Sequence, residues 1–313
     1  MAKGGRYSKY SRRTVLSEKR SRTATVAVAI VAFVLLCVVI SVVIGILLGD
    51  KADEYNDRKT VFELSGEDYY SGDKLVKSVD AYAYQFGADA KSYIGSGIAD
   101  LSVCLRGSDG SLTYSSSVAS LMGAAADESL KALSEHVEYI HGCGGRVCAY
   151  FYVTSFGEAD EYLRELYMDY EVALINEAAR SGVDDIMLVG LGVAESSIGE
   201  IEEYVSRAAY ASENAALGVI LPESVVSAAD NGEYLAARVR SVCDYIALDL
   251  RSLDVNSADI AEGEETSALE AFLMKNEYYI EAYRMRIVLS KENSSLYDDI
   301  KALGVKNIQI IGN

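Results

Sequence analysis

Eight short apolar runs, spaced along the last three quarters of this 313-residue chain, limit its fold more than any other feature. The runs are rich in β-branched and aromatic residues, and longer segments of helical periodicity separate the later ones. Strands that are apolar on both faces and alternate with helices indicate a parallel sheet covered by helices. The runs occupy residues 79–84, 100–105, 146–153, 185–190, 217–221, 244–250, 285–289 and 307–311.

The segments between the later runs predict amphipathic helices. Apolar residues recur there at helical spacing, as the following sets show: Leu130, Leu133, Val137 and Ile140; Ile198, Ile201 and Val205; Leu296, Ile300 and Leu303. Gly182 and Gly304 come just before the next strand, where helices commonly end in left-handed backbone. The sequence therefore predicts an α/β fold, a (β/α)8 TIM-like barrel over residues 77–313. The alternative is a doubly wound open sheet, which is disfavoured because no GxGxxG-type turn follows the first strand.

A long uncharged stretch precedes the barrel, "TATVAVAIVAFVLLCVVISVVIGILLG". Its length predicts a single transmembrane helix over residues 23–49. A cleaved signal peptide is the alternative, but the apolar cores of signal peptides are shorter, roughly 7 to 15 residues. Residues 50–76 are then an acidic juxtamembrane linker, and residues 57–75 are also candidates to cover a missing last outer helix, since the chain ends after the eighth run.

Charge predicts how the chain crosses the membrane. Residues 1–22 contain eight basic residues and one acidic residue, which by the positive-inside rule makes them a cytoplasmic tail and the barrel extracytoplasmic. The whole chain carries −18 and this tail +7, so the remainder carries −25. An anionic-lipid or nucleic-acid role for the tail is not needed, because topology accounts for its charge. The acidic remainder argues against nucleic acid as a partner.

Four cysteines lie in the predicted barrel domain, namely Cys104, Cys143, Cys148 and Cys243. An extracytoplasmic location permits disulfides, and four cysteines allow three pairings. Because three of the four lie in or beside strand-like runs, buried thiols are favoured over disulfides.

Several motifs resemble a family of bacterial TIM-barrel proteins classed as glycosyl hydrolases. The similarity covers roughly residues 78–311. It includes a DGxLxY-type turn at Asp109, Gly110, Leu112 and Tyr114, the strands "GGRVCAYFYVTSF" and "GVDDIMLVGLGV", and a DYI-type strand start at Asp244. The resemblance implies a barrel with a carbohydrate ligand.

The chain departs from that family at polar positions. The family's Asp and Lys near the end of one strand are here Cys104 and Arg106. Its Asp and Arg on the strand that begins near Asp185 are here Val189 and Gly192, and the next strand's Asp is here Pro222. Glycoside hydrolysis canonically needs two carboxyl groups. The substitutions therefore predict a degenerate, non-catalytic member.

Other residues at the carboxyl ends of the predicted strands are still candidates for chemistry, because barrel enzymes place their sites there. Glu223 and Asp249, which follow adjacent strands, are the candidate catalytic pair. Candidate ligand-binding residues are Arg106, Tyr152, Glu195, Arg251 and Glu292. An ion-paired or solvated role is the alternative for the acidic residues and for both arginines.

The sequence predicts no metal site and no cofactor. Its two histidines, His136 and His141, are five residues apart and so do not share a helix face. Tryptophan is absent, but 23 tyrosines are available to stack on a sugar. The leading hypothesis is a membrane-anchored barrel that binds an envelope glycan or a surface partner. An active hydrolase that uses Glu223 and Asp249, and a structural ectodomain of an envelope assembly, are the alternatives.

Overall fold

Eight parallel strands close into a barrel in the computed structural model, which describes residues 67–121, 130–154, 160–228, 230–259 and 266–312. Each strand pairs with its neighbours in chain order, and the last strand pairs with the first. The barrel strands are β3 (Asp80–Tyr84), β4 (Asp100–Arg106), β5 (Arg146–Tyr152), β6 (Asp185–Val189), β7 (Ala216–Pro222), β8 (Tyr245–Asp249), β9 (Arg286–Ser290) and β10 (Ile308–Ile311).

Helices cover the outside of the barrel. They are α1 (Ala90–Gly95), α2 (Ser117–Leu121), α3 (Leu133–Gly142), α4 (Glu161–Arg180), α5 (Ile198–Ala211), α6 (Glu223–Val226), α7 (Asp230–Arg240), α8 (Ala268–Ala282) and α9 (Leu296–Ala302), with 3₁₀ turns at Glu195–Ser197 and Val255–Ala258. Local chemistry fixes several ends. The Asp160 carboxylate accepts hydrogen bonds from the amides of Tyr162 and Leu163 at the start of α4, and the Ser267 hydroxyl accepts one from the Glu270 amide at the start of α8. Gly182 and Gly304 have φ of +88° and +97°, as predicted for residues that end helices.

The predicted strands are confirmed, each to within one residue at either end. The closed order of the strands rules out the open doubly wound sheet. The predicted helices over residues 130–140, 198–205 and 296–303 are confirmed too, although Leu130 lies before α3 begins at Leu133. The predicted membrane span, residues 23–49, lies outside the described residues, and within the described ones no helix is both long and apolar enough to cross a bilayer.

Side chains alternate between two layers along every strand, as strand geometry requires. The outer layer packs under the helices and is almost wholly aliphatic, for example Leu188 on β6 and Leu248 on β8. The inner layer fills the lumen, with Met187, Val189 and Val288 among its buried residues. Continuous apolar runs in the sequence therefore report two buried faces, one packed on helices and one on the opposite strands.

A β-hairpin covers the end of the barrel where the strands begin. It consists of β1 (Tyr69–Ser71) and β2 (Lys74–Val76) and falls within the segment predicted as a linker. Val76 is buried among lumen residues, and the Lys74 ammonium lies 3.3 Å from the Asp244 carboxylate just before β8. The Tyr69 ring lies near the Arg240 and Arg284 guanidinium groups. The end of this segment therefore closes the lower end of the lumen, whereas the sequence suggested that residues 57–75 cover a gap in the outer helices.

The lower lumen contains a fully buried ion pair. The Arg286 guanidinium lies 3.1 and 3.2 Å from the two oxygens of Asp185, and also donates to the Tyr245 hydroxyl and to the Gln309 amide oxygen. The Gln309 amide then donates to the Ser102 hydroxyl at 2.9 Å. Burial of two charges is tolerated because they are paired and hydrogen-bonded. Asp185 is thus a structural residue at the start of β6.

Candidate functional site

A cavity of about 760 Å³ opens at the opposite end of the barrel, where the strands end. It lies over β3, β4, β5 and the ends of β9 and β10, so it occupies the face on which barrel enzymes build their sites. The lining residues are Ala83, Tyr84, Gln85, Phe86, Val103, Cys104, Gly107, Ser108, Asp109, Ser111, Thr113, Leu130, Tyr150, Tyr152, Lys291, Glu292 and Gly312.

Aromatic rings form much of the wall. Phe86 follows β3 and stacks on the His136 ring of α3, with centroids 4.1 Å apart and planes 10° apart. Tyr150 and Tyr152, two residues apart on β5, both face the lumen, and their rings meet edge to face. The Tyr150 hydroxyl donates to the Gly312 carbonyl and accepts from the Gly312 amide, both at 3.0 Å. Tyr150 and Tyr84, which also lines the cavity, are nearly fully buried, so among the described lining residues Phe86 and Tyr152 are the rings available to a ligand.

Charged and polar groups form the rest of the wall. Asp109 follows β4, and one carboxylate oxygen accepts hydrogen bonds from the Ser111 hydroxyl and amide. Those bonds lower the pKa of the Asp109 carboxyl. Lys291 and Glu292 follow β9, and both are exposed. Together with the exposed amide of Gln85, these residues supply the cavity with hydrogen-bond donors and acceptors and with both positive and negative charge.

Asp249 and Arg251 form a second polar group at the mouth, at the end of β8. The Arg251 guanidinium donates to both Asp249 oxygens, at 2.8 and 2.7 Å, and to the Tyr152 hydroxyl at 2.8 Å. Burial lowers the pKa of Arg251, but the bonds to Asp249 outweigh this and raise it overall. The ion-paired alternative raised for these residues is the arrangement present, and it fixes the hydroxyl of a tyrosine that lines the cavity.

Glu223 and Asp249, the predicted catalytic pair, lie at the ends of the adjacent strands β7 and β8. Asp249 pairs in register with Pro222, and Glu223 follows as the first residue of α6. Asp249 is held by Arg251, and neither carboxylate is among the described residues that line the cavity. Glu195 lies exposed in the 3₁₀ turn after β6, also outside the lining. Of the predicted ligand-binding residues, the cavity therefore brings together Tyr152 and Glu292, with Arg251 bonded to Tyr152.

Arg106 does not reach the mouth, although it is the last residue of β4. The pairing of β4 with β5 shifts between Cys104 and Arg106, which leaves Leu105 as an extra residue. A bulge of this kind re-aims the side chains that follow it. The Arg106 guanidinium consequently lies under α4, where it is buried and bonded to Glu171 at 2.8 Å. The sequence predicted Arg106 at the mouth because regular alternation would direct residue 106 into the lumen, and a bulge cannot be recognised from the residue pattern.

Three of the positions where the chain departs from the family pattern lie on or just after β6 and β7, and they are Val189, Gly192 and Pro222. Val189 is fully buried in the lumen, and Pro222 ends β7. Gly192 has a φ of +57°, a backbone conformation that side chains other than glycine adopt rarely. The strand-end positions at β6 and β7 therefore carry no group that transfers a proton.

The one cysteine in the described lining of the cavity is held in its neutral form. Cys104 lines the cavity, and burial raises the pKa of its thiol to about 11, which disfavours the nucleophilic thiolate. All four described cysteines are free thiols, with Cys148 and Cys243 buried. Across the described ranges, the structure contains no cluster of three or more side chains with metal-ligating chemistry.

Within the part of the chain that the structure describes, three carboxyl groups have distinctly shifted pKa values, and all three shifts are downward. They are Asp109, Glu177 and Glu202. Burial alone would raise the pKa of Glu177, but hydrogen bonds from Ser116 and Ser117 outweigh that effect and lower it overall. Hydrogen bonds from Arg238 lower the pKa of Glu202. A glycosidase acid needs the opposite, a pKa raised toward neutrality.

Comparison with known proteins identifies similar folds at low sequence identity. No family model matches the chain, and no curated protein does. An alpha-L-fucosidase candidate from Bacteroides thetaiotaomicron superposes with a TM-score of 0.52 at 10% identity, over 78% of this chain and 91% of that one. The fold is a TIM barrel.

Two further solved structures are similar over comparable lengths. A β-mannanase from Alicyclobacillus acidocaldarius has a TM-score of 0.46 at 10% identity, over 75% of this chain and 87% of that one. An aldolase/citrate lyase family protein from Burkholderia cenocepacia has a TM-score of 0.42 at 11% identity, over 77% and 90%. One barrel fold supports many chemistries, so the function has to be argued from the site.

Proposed function

We propose that this protein is a single-pass membrane protein whose extracytoplasmic barrel binds a glycan of the cell envelope at its mouth without hydrolysing it. The observation that carries the proposal is the composition of the mouth. Its cavity has the aromatic and hydrogen-bonding lining of a ligand site, while Val189 and Pro222 occupy strand ends and Asp249 is tied to Arg251.

The lining suits a carbohydrate. Sugars present apolar C–H faces and polar edges, and they are bound by flat rings together with side chains that both donate and accept hydrogen bonds. Phe86 and Tyr152 supply rings whose positions are fixed by His136 and Arg251. Rings held in place before the ligand arrives lose less freedom on binding. Gln85, Asp109 and Glu292 supply polar contacts at the rim.

Hydrolysis is disfavoured by the same residues. A retaining or an inverting glycosidase needs a protonated carboxyl group and an ionised one on either side of the bond. Asp109 is stabilised in its ionised form, and Asp249 accepts two hydrogen bonds from Arg251. An Asp109 carboxyl group held in its ionised form is not suited to donate a proton to a leaving group.

The membrane and localisation part of the proposal rests on the sequence. The uncharged stretch over residues 23–49 is long enough to span a bilayer, and its basic flank predicts a cytoplasmic N-terminus. An extracytoplasmic barrel would then have access to envelope glycans, and its strong negative charge is consistent with a partner other than nucleic acid.

The test is a binding and hydrolysis assay with the full-length chain in mild detergent. Cellohexaose, mannohexaose and chitohexaose are each offered, and both retention and chain cleavage are measured. We expect retention without cleavage, and a loss of about tenfold in affinity for Phe86→Ala and Tyr152→Ala, since truncating a central aromatic contact typically costs more than 1 kcal/mol. Tyr210→Ala, an exposed tyrosine on α5, is the matched control. Equal affinities for all four proteins would contradict the proposal.

The rival is an active hydrolase that uses Glu223 and Asp249. The same assay separates it, because cleavage by the wild type that disappears in a Glu223→Gln, Asp249→Asn double variant would establish the pair as catalytic. Cleavage that survives in the double variant would point instead to acids elsewhere at the mouth.

A structural ectodomain is the second candidate, and one observation favours it. The first half of α4 exposes apolar side chains, namely Tyr162, Leu163, Leu166 and Tyr167. Clusters of this kind on an outer face are typical of protein contacts. Sedimentation of the full-length chain in detergent, beside a Tyr162→Ser, Leu166→Ser variant, tests this role. Association that the variant abolishes would support assembly through α4.

A further inference from the structure

Two charged residues that are not among the described lining of the cavity hold the main chain at the end of β5. The Arg106 guanidinium donates to the Tyr152 carbonyl at 2.6 Å through Nη1, and to the Thr154 hydroxyl at 2.8 Å through Nη2. Glu171, on α4, accepts from the Thr154 amide at 2.9 Å and from its hydroxyl at 3.1 Å. Because Tyr152 lines the cavity, these bonds fix the backbone of a residue that a ligand would touch.

Arg106 and Glu171 also bind each other. Their Nη1 and Oε1 atoms are 2.8 Å apart, and only 5% and 4% of the two side chains are exposed. Hydrogen bonds that involve charged groups are roughly twice as strong as neutral ones, and the exclusion of water strengthens them further. The pair is therefore a rigid support behind the end of β5.

The irregularity in β4 brings the arginine to this place. With Leu105 as an extra residue, the Arg106 side chain lies under α4 and beside the end of the neighbouring strand. A guanidinium has five N–H groups in a planar fork, so one side chain can bind a carbonyl, a hydroxyl and a carboxylate together. The position thus requires the shape of arginine as well as its charge.

Tyr152 is consequently held at two points. Arg251 donates to its hydroxyl at 2.8 Å at the mouth, and Arg106 donates to its carbonyl from under the helices. Its ring also meets the Tyr150 ring edge to face. A ring that is fixed before the ligand arrives loses less freedom on binding.

We propose that Arg106 and Glu171 are positioning residues for the mouth, which set the Tyr152 ring for a ligand that they do not touch. This inference rests on the proposed glycan-binding function and adds to it a buried clamp. Stability alone does not account for the clamp, because a buried ion pair can often be replaced by apolar residues without loss of stability.

The test removes both charges together. Arg106→Met, Glu171→Leu replaces the pair by apolar side chains of similar size, so we expect a folded barrel without the bonds to Tyr152 and Thr154. Calorimetric titration of the full-length protein in mild detergent measures affinity for cellohexaose, mannohexaose and chitohexaose. We expect a loss of about threefold to tenfold, because a looser ring still binds but loses more freedom. Val76→Ala, at the buried lower end, is the control and should bind like the wild type.

A double-mutant cycle shows whether the pair acts through Tyr152. In a Tyr152→Ala background, removal of the pair should change affinity by less than about twofold, since the ring that it positions is absent. In a Phe86→Ala background, removal should cost as much as it does in the wild type. An equal loss in both backgrounds would contradict the assignment to Tyr152.

Amide hydrogen exchange tests the clamp without any ligand. The Thr154 amide loses its acceptor in the double variant, so we expect it to exchange at least about tenfold faster, while the Ile246 amide in β8 keeps its rate in a folded barrel. Glu171→Gln retains an oxygen that can accept from Thr154, and it should keep most of the protection and of the affinity. Unchanged exchange at Thr154 in the double variant would overturn the proposal.

The outcomes distinguish this inference from the proposed function. Binding of none of the three glycans by the wild type would overturn the proposed function, and the role of the pair in binding with it. Wild-type affinity in the double variant would overturn the positioning role alone. If the double variant does not fold, Arg106→Lys replaces it, because lysine keeps a positive charge beside Glu171 but lacks the fork, and we expect the same loss of affinity.

Discussion

The two ends of the barrel lumen use charge in opposite ways. At the lower end, Arg286 and Asp185 are fully buried, and a network of hydrogen bonds connects them to Tyr245 and Gln309. At the mouth, Asp249 and Arg251 are partly exposed to solvent and border a cavity. Buried pairs are costly to break, whereas exposed pairs contribute little. The comparison indicates that charge at the lower end specifies the packing of the barrel, while the charged pair at the mouth positions the hydroxyl of Tyr152, which lines the cavity.

The largest expected effect is the loss of the buried arginine. Arg286→Met leaves Asp185 buried without a counter-charge, and we expect the free energy of unfolding to fall by about 3–5 kcal/mol. Urea denaturation followed by circular dichroism measures this change. The double variant Arg286→Met, Asp185→Leu removes both charges, so it should recover a large part of the loss. A double variant as unstable as Arg286→Met would contradict the interpretation.

The next effect tests how closely the lower lumen is packed. A Cβ atom at Gly218 would lie 2.1 Å from the Tyr245 ring, which stacks on the Arg286 guanidinium. We expect Gly218→Ala to destabilise the fold by about 3 kcal/mol, because buried side chains have no room to move aside. Gly199→Ala is the control, since a Cβ on that helical glycine meets no atom within 4 Å. It should be neutral or stabilising, by about 0.5–1 kcal/mol. Similar melting temperatures for both variants would refute the packing argument.

The hairpin provides a smaller effect at the same end. Val76→Ala removes two methyl groups from a side chain that is 2% exposed, and we expect a loss of about 2 kcal/mol in thermal or urea unfolding. Leu75→Ala, at the neighbouring residue, removes more carbon from a side chain that is 39% exposed, and should change stability by less than about 0.5 kcal/mol. The reverse ranking would show that the hairpin does not close the lumen.

The smallest effect is expected at the mouth. Asp249→Asn and Arg251→Gln, combined in a double-mutant cycle, should give a coupling free energy of about 1 kcal/mol or less, because solvent reaches both side chains. The same cycle at Asp185 and Arg286 should give a coupling at least about three times as large. Equal couplings would remove the contrast between the two ends.

Much of the barrel could be predicted from the sequence because its strands are buried on both faces. A run such as "DYIALDL" is apolar regardless of which residues face the lumen, so the strands were located to within one residue. The hairpin could not be predicted, since β1 and β2 are three residues each and lie in a polar, acidic stretch. Its place is set by contacts with residues more than 100 positions later, such as Asp244.

The site was predicted in part, for similar reasons. Tyr152 and Glu292 line the cavity because the end of a strand can be located from the end of an apolar run. The buried pair was missed, although Arg286 and Gln309 leave a signal as polar residues at the start of otherwise apolar strands. Phe86 was missed as well, since its role depends on stacking with a helix, a contact that strand periodicity does not report.

The extra residue Leu105 in β4 bears on how a site of this kind changes during evolution. Successive side chains on a strand alternate between the lumen and the helices, so one inserted residue decides which of them the next side chain meets. The irregularity at Leu105 directs the Arg106 cation under α4, whereas regular alternation after Cys104 would direct residue 106 into the lumen. Loss of the Leu105 codon would not return it, because the arginine would then follow the lumen-facing Cys104 directly and alternation would again direct it under the helices. Either strand length therefore keeps this cation away from the mouth.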